Sequence, residues 1–333
     1  MNIDANRWLV TGASGFVGRR LCAEIGRRGW QVKAALRTPD LTLQEFETVV
    51  VGQISEQTNW TEALRDVDVV IHLAARVHVM LDEAHNPLDE FRRINVAGTE
   101  CLARSAAASG VKRLVYVSSI KVNGEGTPFH VKGGGVSNFF TEADIPNPQD
   151  PYGVSKCEAE QALHRVAKET GLEIVIVRPP LVYGAGVKGN FAQMLKVLAK
   201  GIPLPLASVH NLRSLVYVEN LVDALIVCAM HPAAAGQTYL VSDGEDISTP
   251  DLLRSLGAAM GHSARLMPCP AAWLKIAGYF VGKTDRVERL LGSLRVDSGK
   301  IKRDLDWCPP YSLWEGLKIT GASVRHIGII DKE

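Results

Sequence analysis

Three side chains in this sequence have the types and spacing for proton transfer beside a redox group. Tyr152 and Lys156, in Tyr152-Gly-Val-Ser-Lys156, stand four residues apart, so on a helix they project from one face. Ser119 closes the apolar run Leu114-Val-Tyr-Val-Ser-Ser119. A free phenol titrates near ~10 and is a poor base at neutral pH, but an adjacent ammonium stabilises its phenolate. Such a phenol can take a proton from a hydroxyl as hydride leaves for a nicotinamide, or give one to a keto oxygen in the reverse direction. Ser119 would hydrogen-bond the same oxygen. This chemistry needs no zinc, no thiol nucleophile and no Ser-His-Asp array, and no metal site is expected.

The triad is meaningful only if the chain brings its members together. Residues 8–11 read as a strand, followed by Gly12-Ala-Ser-Gly15-Phe-Val-Gly18 and a helix whose apolar positions Phe16, Val17, Leu21 and Ile25 run on until Gly29. Strand, glycine turn and helix together form the setting in which backbone N–H groups hold a pyrophosphate. The second strand, residues 31–36, ends at Leu36-Arg37 with no carboxylate before Asp40. An acid there accepts from the 2′-hydroxyl of NAD and an arginine suits the 2′-phosphate of NADP, so NADP is favoured over NAD.

A third strand at residues 48–51 and a helix at 61–65 lead to the nearly continuous apolar strand 68–75, the pattern of a parallel strand buried on both faces. His72 within it reads as a satisfied core histidine. Ala74 and Ala75 leave room for a dinucleotide, and Arg76 and His78 stand just past the strand end, facing substrate. A helix over 88–110 carries Asn95, whose expected duty is a buried hydrogen bond to the strand bearing Ser119. That strand, 111–119, puts Ser118 and Ser119 at its carboxyl end, where open α/β sheets bind ligands. The glycine- and proline-rich stretch 121–151 reads as a flap over the site. Tyr152 then opens a helix to residue 170. Further helices are expected at 191–199, 218–230 and 250–260, with a short strand at 238–242.

Composition narrows the function classes. The 37 basic and 36 acidic residues leave a net charge of +1, so no region holds a polyanion by charge alone and nucleic acid is excluded as a partner. Six cysteines lie scattered with no C-x-x-C pair, which reads as a reduced, cytoplasmic protein. The most apolar late run, 271–281, is interrupted by Lys275 and far shorter than the ~20 residues of a spanning helix. It reads as a core or surface-docking helix.

Taken together, Thr11-Gly-x-x-Gly-x-x-Gly18, His72-Leu-Ala-Ala75, Asn95-Val-x-Gly-Thr99, Ser118-Ser119 and Tyr152-x-x-x-Lys156 resemble the extended short-chain dehydrogenase/reductase family of nucleotide-sugar epimerases, dehydratases and reductases. Arg178-Pro-Pro-Leu-Val-Tyr-Gly184, Arg213-Ser-Leu-Val-Tyr-Val218 and Val296-Asp-Ser-x-Lys300 extend the likeness over nearly the whole chain. The resemblance implies an α/β fold, a Rossmann-type doubly wound parallel sheet with a smaller C-terminal substrate-binding lobe. Residues 1–180 would form the NAD(P)-binding domain, with about 214–242 returning to it, and 181–333 would be mainly the lobe.

It also implies cofactor contacts from Gly12, Ser14, Gly15, Phe16, Val17, Gly18, Arg37, Gln53, Ile54, Leu73, Ala74, Ala75 and Asn95. Lys156 would hold the nicotinamide ribose, and backbone near Pro179 the nicotinamide amide. Substrate contacts would come from Arg76, His78, Ser119, Asn190, Arg213 and either Arg286 or Arg289, with Arg289 preferred. A guanidinium beside a diphosphate offers charge-assisted, forked hydrogen bonds, which suits Arg213. A departure is Gln53, which stands where the family usually has an Asp near adenine. A homodimer through the helices 88–110 and 152–170 is the implied assembly.

Three functions follow. The first is 4-keto reduction of a UDP-4-keto-6-deoxy-N-acetylhexosamine, forming UDP-N-acetylquinovosamine for surface polysaccharide. It draws on Leu36-Arg37 and on likeness to a bacterial polysaccharide subgroup. The second is a UDP-glucose or UDP-N-acetylglucosamine 4-epimerase that keeps its NAD. The third, placed last because the Tyr/Lys pair is present, is a non-catalytic dinucleotide-sensing regulator. A 4,6-dehydratase is disfavoured because Ile120-Lys121 stands where that chemistry places an acid pair.

Overall fold

The computed structural model describes residues 6–77, 86–127, 138–280, 282 and 284–326. Its strands are β1 (Arg7–Thr11), β2 (Gln31–Leu36), β3 (Glu47–Val50), β4 (Val69–His72), β5 (Arg113–Val117), β6 (Glu173–Arg178), β7 (Leu181–Tyr183), β8 (Arg213–Tyr217), β9 (Thr238–Leu240) and β10 (Asp246–Ile247). Seven form one sheet in the order β3-β2-β1-β4-β5-β6-β9, parallel throughout. The sequence runs outward from β1 in both directions, so β1 and β4 flank the switch point where such sheets open a crevice at their carboxyl ends. A smaller sheet, β10-β8-β7, belongs to the lobe.

The helices are α1 (Phe16–Arg27), α2 (Pro87–Phe91), α3 (Gly98–Ala108), α4 (Pro151–Thr170), α5 (Gly189–Ala199), α6 (Val218–Met230), α7 (Thr249–Met260), α8 (Ala271–Phe280), α9 (Thr284–Leu291), α10 (Gly299–Leu305) and α11 (Leu313–His326). The central strands are apolar between their end residues because each face has its own helices to pack against. Trp8, Val10, Ile71, Val115 and Val177 point to the face covered by α1 and α6. Their neighbours Leu9, Val70, Leu114, Tyr116 and Ile176 point to the face covered by α3 and α4. The lobe has a third core, built from Tyr183, Phe191, Leu215, Leu253 and Leu317.

Several expected elements take a different form. Residues 61–65 make turns rather than a helix, with Leu64 N–H reaching back to Trp60 O over a single turn. The strand expected over 68–75 pairs only over Val69–His72, because Leu73 onward leaves the sheet to line the crevice. The helix expected over 88–110 runs over 87–108 but carries a π-helical stretch, Arg92–Ala97, around Asn95. Of the span 214–242, β9 joins the main sheet and α6 packs on its face, whereas β8 lies in the smaller sheet. Of the flap, residues 138–150 are tied to the lobe and to the strand end. Phe140 bridges to Val296, and Asn147 N–H donates to Val122 O; residues 128–137 lie outside the described set. Among the described residues no helix is long and apolar enough to cross a membrane.

Candidate active site

The glycine turn is the first wall of the site. Gly12 has φ +68°, and a Cβ there would stand 2.8 Å from Ala74 N on the neighbouring strand end. A Cβ on Gly18 would stand 2.2 Å from Gly12 O and 2.7 Å from Ala13 Cα. These positions must lack side chains for α1 to start this close to β1. The turn opens on a cavity of about 1120 Å³, above the ~300–1,000 Å³ of ordinary ligand pockets. Gly12, Ser14, Gly15, Phe16, Val17 and Gly18 line one end. Arg37, Gln53 and Ile54 line the side beyond β2, while Leu73, Ala74, Ala75, Arg76, Ser119, Tyr152 and Pro179 line the far end. This elongated, glycine-floored space fits a dinucleotide.

Beyond β2, Arg37 is exposed along the cavity wall. Asp40, the next carboxylate, is already engaged. It accepts from the Thr42 hydroxyl at 2.6 Å and from Thr42 N–H at 3.0 Å and pairs with Arg19 at 2.6 Å, and those contacts hold its carboxyl below the usual range.

At the far end β5 and α4 bring the triad together. Asp150 caps α4 by accepting from Gly153 N–H at 2.7 Å, which sets the first turn and aims Tyr152. Burial pushes the Tyr152 phenol up, Asp150 pushes it further, and a hydrogen bond with Ser119 opposes both. Lys156 is almost wholly buried. Its ammonium donates to Val117 O at 2.7 Å, lies 4.4 Å over the Tyr116 ring and 6.0 Å from the Tyr152 ring. Burial pulls it from 10.5 down to about 7, and Glu160 pulls the other way. Burial, rather than the ammonium, thus dominates the phenol's own titration.

The two serines differ sharply. Ser118 Oγ donates to Glu160 Oε1 at 2.5 Å, so its hydroxyl is committed, whereas Ser119 faces Tyr152. Glu160 lies one turn past Lys156 and pairs with Arg178 through both carboxylate oxygens, at 2.9 and 2.5 Å, in a buried ion pair. Arg178 also donates to Asn123 Oδ1 at 3.0 Å, joining the ends of β5 and β6 beneath the site. Sequence reasoning missed Glu160 as a partner. The signal was there, since Tyr152, Lys156 and Glu160 repeat every four residues, but the partner Arg178 comes from another strand.

Asn95 does not reach the strand of Ser119. Its carboxamide accepts from Arg76 N–H at 2.8 Å and donates to Arg76 O at 3.0 Å and Ser155 Oγ at 2.9 Å, tying the crevice loop to α4. Its neighbour Ile94, not Asn95, lines the cavity, and Lys156 also sits behind the wall. His72 is a satisfied core residue: Nδ1 is 2.6 Å from Thr11 Oγ1 and Nε2 is 2.9 Å from Thr99 Oγ1. Burial and Lys156 pull its titration down to about 3, so it is neutral.

The expected substrate residues are divided. Arg76 lies on the cavity wall with its guanidinium 5.5 Å from the Phe91 ring. Arg213, at the start of β8, donates to Arg289 O at 2.7 Å and Gly292 O at 3.2 Å, and Arg289 stands 3.9 Å from Glu125. Burial and Arg289 pull Arg213 down from its ordinary value, against Glu125. These two arginines are together but outside the cavity wall, as is exposed Asn190 at the start of α5. His78 and the side chain of Arg286 lie outside the described residues.

The comparisons with known proteins agree with this geometry. Residues 8–242 match the model of the NAD dependent epimerase/dehydratase family. The chain belongs to that family. It is an NAD(P)-dependent enzyme of the nucleotide-sugar group of short-chain dehydrogenases/reductases. It is 44% identical to a protein of Vibrio cholerae named UDP-glucose 4-epimerase, over 94% of this chain and 93% of the relative. It superposes on MoeE5 in complex with UDP-glucose and NAD with a TM-score of 0.74 at 25% identity, covering 96% of this chain and 99% of that one. UDP-glucuronic acid 4-epimerase from Bacillus cereus, at 21% identity and a TM-score of 0.76 over 98% of each chain, shares the fold.

Proposed function

We propose that this family member transfers hydride at C4 of a UDP-hexose and that its reaction is 4-epimerisation of UDP-glucose or UDP-N-acetylglucosamine. The observation that carries the reading is the meeting of Ser119, Tyr152 and buried Lys156 at the end of a cavity whose other end is the glycine turn. The Vibrio cholerae relative supports epimerisation ahead of 4-keto reduction, reversing the order expected from the sequence.

Gly12, Gly15 and Gly18 would hold the pyrophosphate and Pro179 the amide end of the dinucleotide. When bound, its nicotinamide supplies a hydride acceptor and donor and, oxidised, a positive charge. Tyr152 takes the proton from the O4 hydroxyl and Ser119 holds that oxygen. Burial and Asp150 favour the protonated phenol, so loss of its proton depends on positive charge gathered beside it. Lys156 adds such charge below about pH 7, where it is protonated. Tyr152 then returns the proton to O4 as C4 regains hydride on the other face of the turned 4-keto sugar. Arg213 and Arg289 are the guanidinium pair we assign to the UDP diphosphate.

The second reading, a UDP-4-keto-6-deoxy-N-acetylhexosamine reductase using exchangeable NADPH, is favoured by Arg37 on the adenosine side and by Asp40 being taken by Arg19. Two incubations separate them. One holds UDP-glucose or UDP-N-acetylglucosamine with no added cofactor, the other UDP-4-keto-6-deoxy-N-acetylglucosamine with NADPH or NADH. Interconversion in the first, with NAD copurifying, is the expected result. Cofactor oxidation in the second alone replaces it with the reductase. A cytoplasmic homodimer packed through the helical run 88–110 and α4 is part of the proposal. The outer faces of these helices carry ion pairs, Arg92 with Glu158 and Arg104 with Glu169, so such a dimer would be polar and salt-sensitive in sedimentation.

A further inference from the structure

The run 271–281 has no part in the chemistry, yet α8 stands out from the lobe. Leu274 packs against the lobe core and Gly278 is buried, while the rest of the described side chains point outward. Trp273 is 66% exposed, Tyr279 75% and Phe280 81%. Trp273, Ile276 and Phe280 follow the i, i+3, i+7 spacing of one helix face, and Met267 and Leu290 in the flanking segments are exposed as well. Large exposed apolar side chains gathered this densely mark an interaction surface rather than ordinary scatter.

Charge says what covers it. Residues 265–290 hold five basic residues (Arg265, Lys275, Lys283, Arg286, Arg289) and two acidic ones (Asp285, Glu288), against a net charge of +1 for the whole chain. Arg265, Lys275 and Arg289 are exposed, and Lys275, four residues before Tyr279 on α8, flanks the aromatic face. Aromatic side chains with a polar or ring N–H edge, flanked by Lys and Arg on a helix too short to span, are the composition of a segment that lies in a bilayer interface. Ten residues rise about 15 Å, half of a bilayer core.

We propose that α8 docks the lobe on an anionic bilayer surface, its aromatic face in the headgroup region and its flanking cations against lipid phosphates. The enzyme then works at the membrane face, with α9, which follows α8 and carries Arg289, held near the surface. The inference is independent of which sugar is turned over.

Sedimentation of the full chain with phosphatidylcholine vesicles and with vesicles that also contain phosphatidylglycerol tests it. The expected result is binding only to the anionic vesicles, weakened by salt. Trp273→Ser with Phe280→Ser should abolish binding, and Lys275→Glu should weaken it about fivefold or more. Turnover of soluble substrate should be unchanged in these variants, which keeps a folding defect distinguishable. No sedimentation of the wild type with anionic vesicles overturns the proposal. So does a wild-type dimer that the double substitution turns into a monomer while vesicle binding is unaffected, because α8 then faces a second copy.

Discussion

Replacing Lys156 by Met should stabilise the fold while abolishing turnover, and the gain should depend on pH. Each tenfold change in proton affinity corresponds to about 1.4 kcal/mol, so lowering the ammonium from 10.5 to about 7 costs the folded state about 5 kcal/mol at low pH. Met fills the same stem volume but leaves Val117 O without its donor, at a cost of about 1–3 kcal/mol. The net is a gain of about 2–4 kcal/mol near about pH 6. The sign with pH follows from the folded value lying below the unfolded one. Between about pH 7 and 10.5 the unfolded chain holds more protons, so the wild type gains stability as pH rises, and below that window the cost is full. Methionine has no proton to lose, so the variant's advantage should shrink by about 3 kcal/mol from about pH 6 to about pH 9. Urea unfolding of both proteins across that range measures it. A variant destabilised by the same amount at every pH would refute the claim that Lys156 carries a buried-charge cost.

Other outcomes follow from the same geometry. Tyr152→Phe should lower turnover by about 10²–10⁴ while dinucleotide binding, followed by fluorescence titration, is retained; unchanged turnover would remove the phenol from the mechanism. Arg37→Ser should weaken NADPH binding by about tenfold and leave NADH binding unaltered, since only the 2′-phosphate needs the guanidinium. Gly18→Ala forces a methyl group into Gly12 O and should lower stability by about 1–3 kcal/mol in thermal unfolding, with loss of dinucleotide affinity. Glu160→Gln leaves Arg178 buried without its counter-charge and should cost about 3–5 kcal/mol in chemical denaturation, whereas an effect under ~1 kcal/mol would mean solvent reaches the pair.

Much of the frame was legible because it is local. The glycine turn, the apolar central strands, the Pro151–Thr170 helix and the placing of His72 in the core all follow from short-range pattern and from burial on both sheet faces. Where the reading departed from the structure, long-range partners had decided. Residues 61–65 have helical composition but close as turns around the buried anchor Trp60. Asn95, inside a π-helical stretch, bonds Arg76 and Ser155 rather than the strand of Ser119, partners that no spacing within the helix reveals.

The sequence by itself determined the chemistry on offer: a phenol and an ammonium on one helix face, a serine pair at a strand end, and a turn that only glycine can make. The tertiary structure decided how those groups are poised. It commits Ser118 to Glu160 and leaves Ser119 for Tyr152, and it buries Lys156 until its ammonium titrates near 7. It also gathers Arg213 beside Arg289, and leaves the aromatic face of α8 uncovered. The physical reason is that residue type and spacing set what a side chain can donate, accept or carry. Desolvation and the partners supplied by distant strands set which of those states it holds.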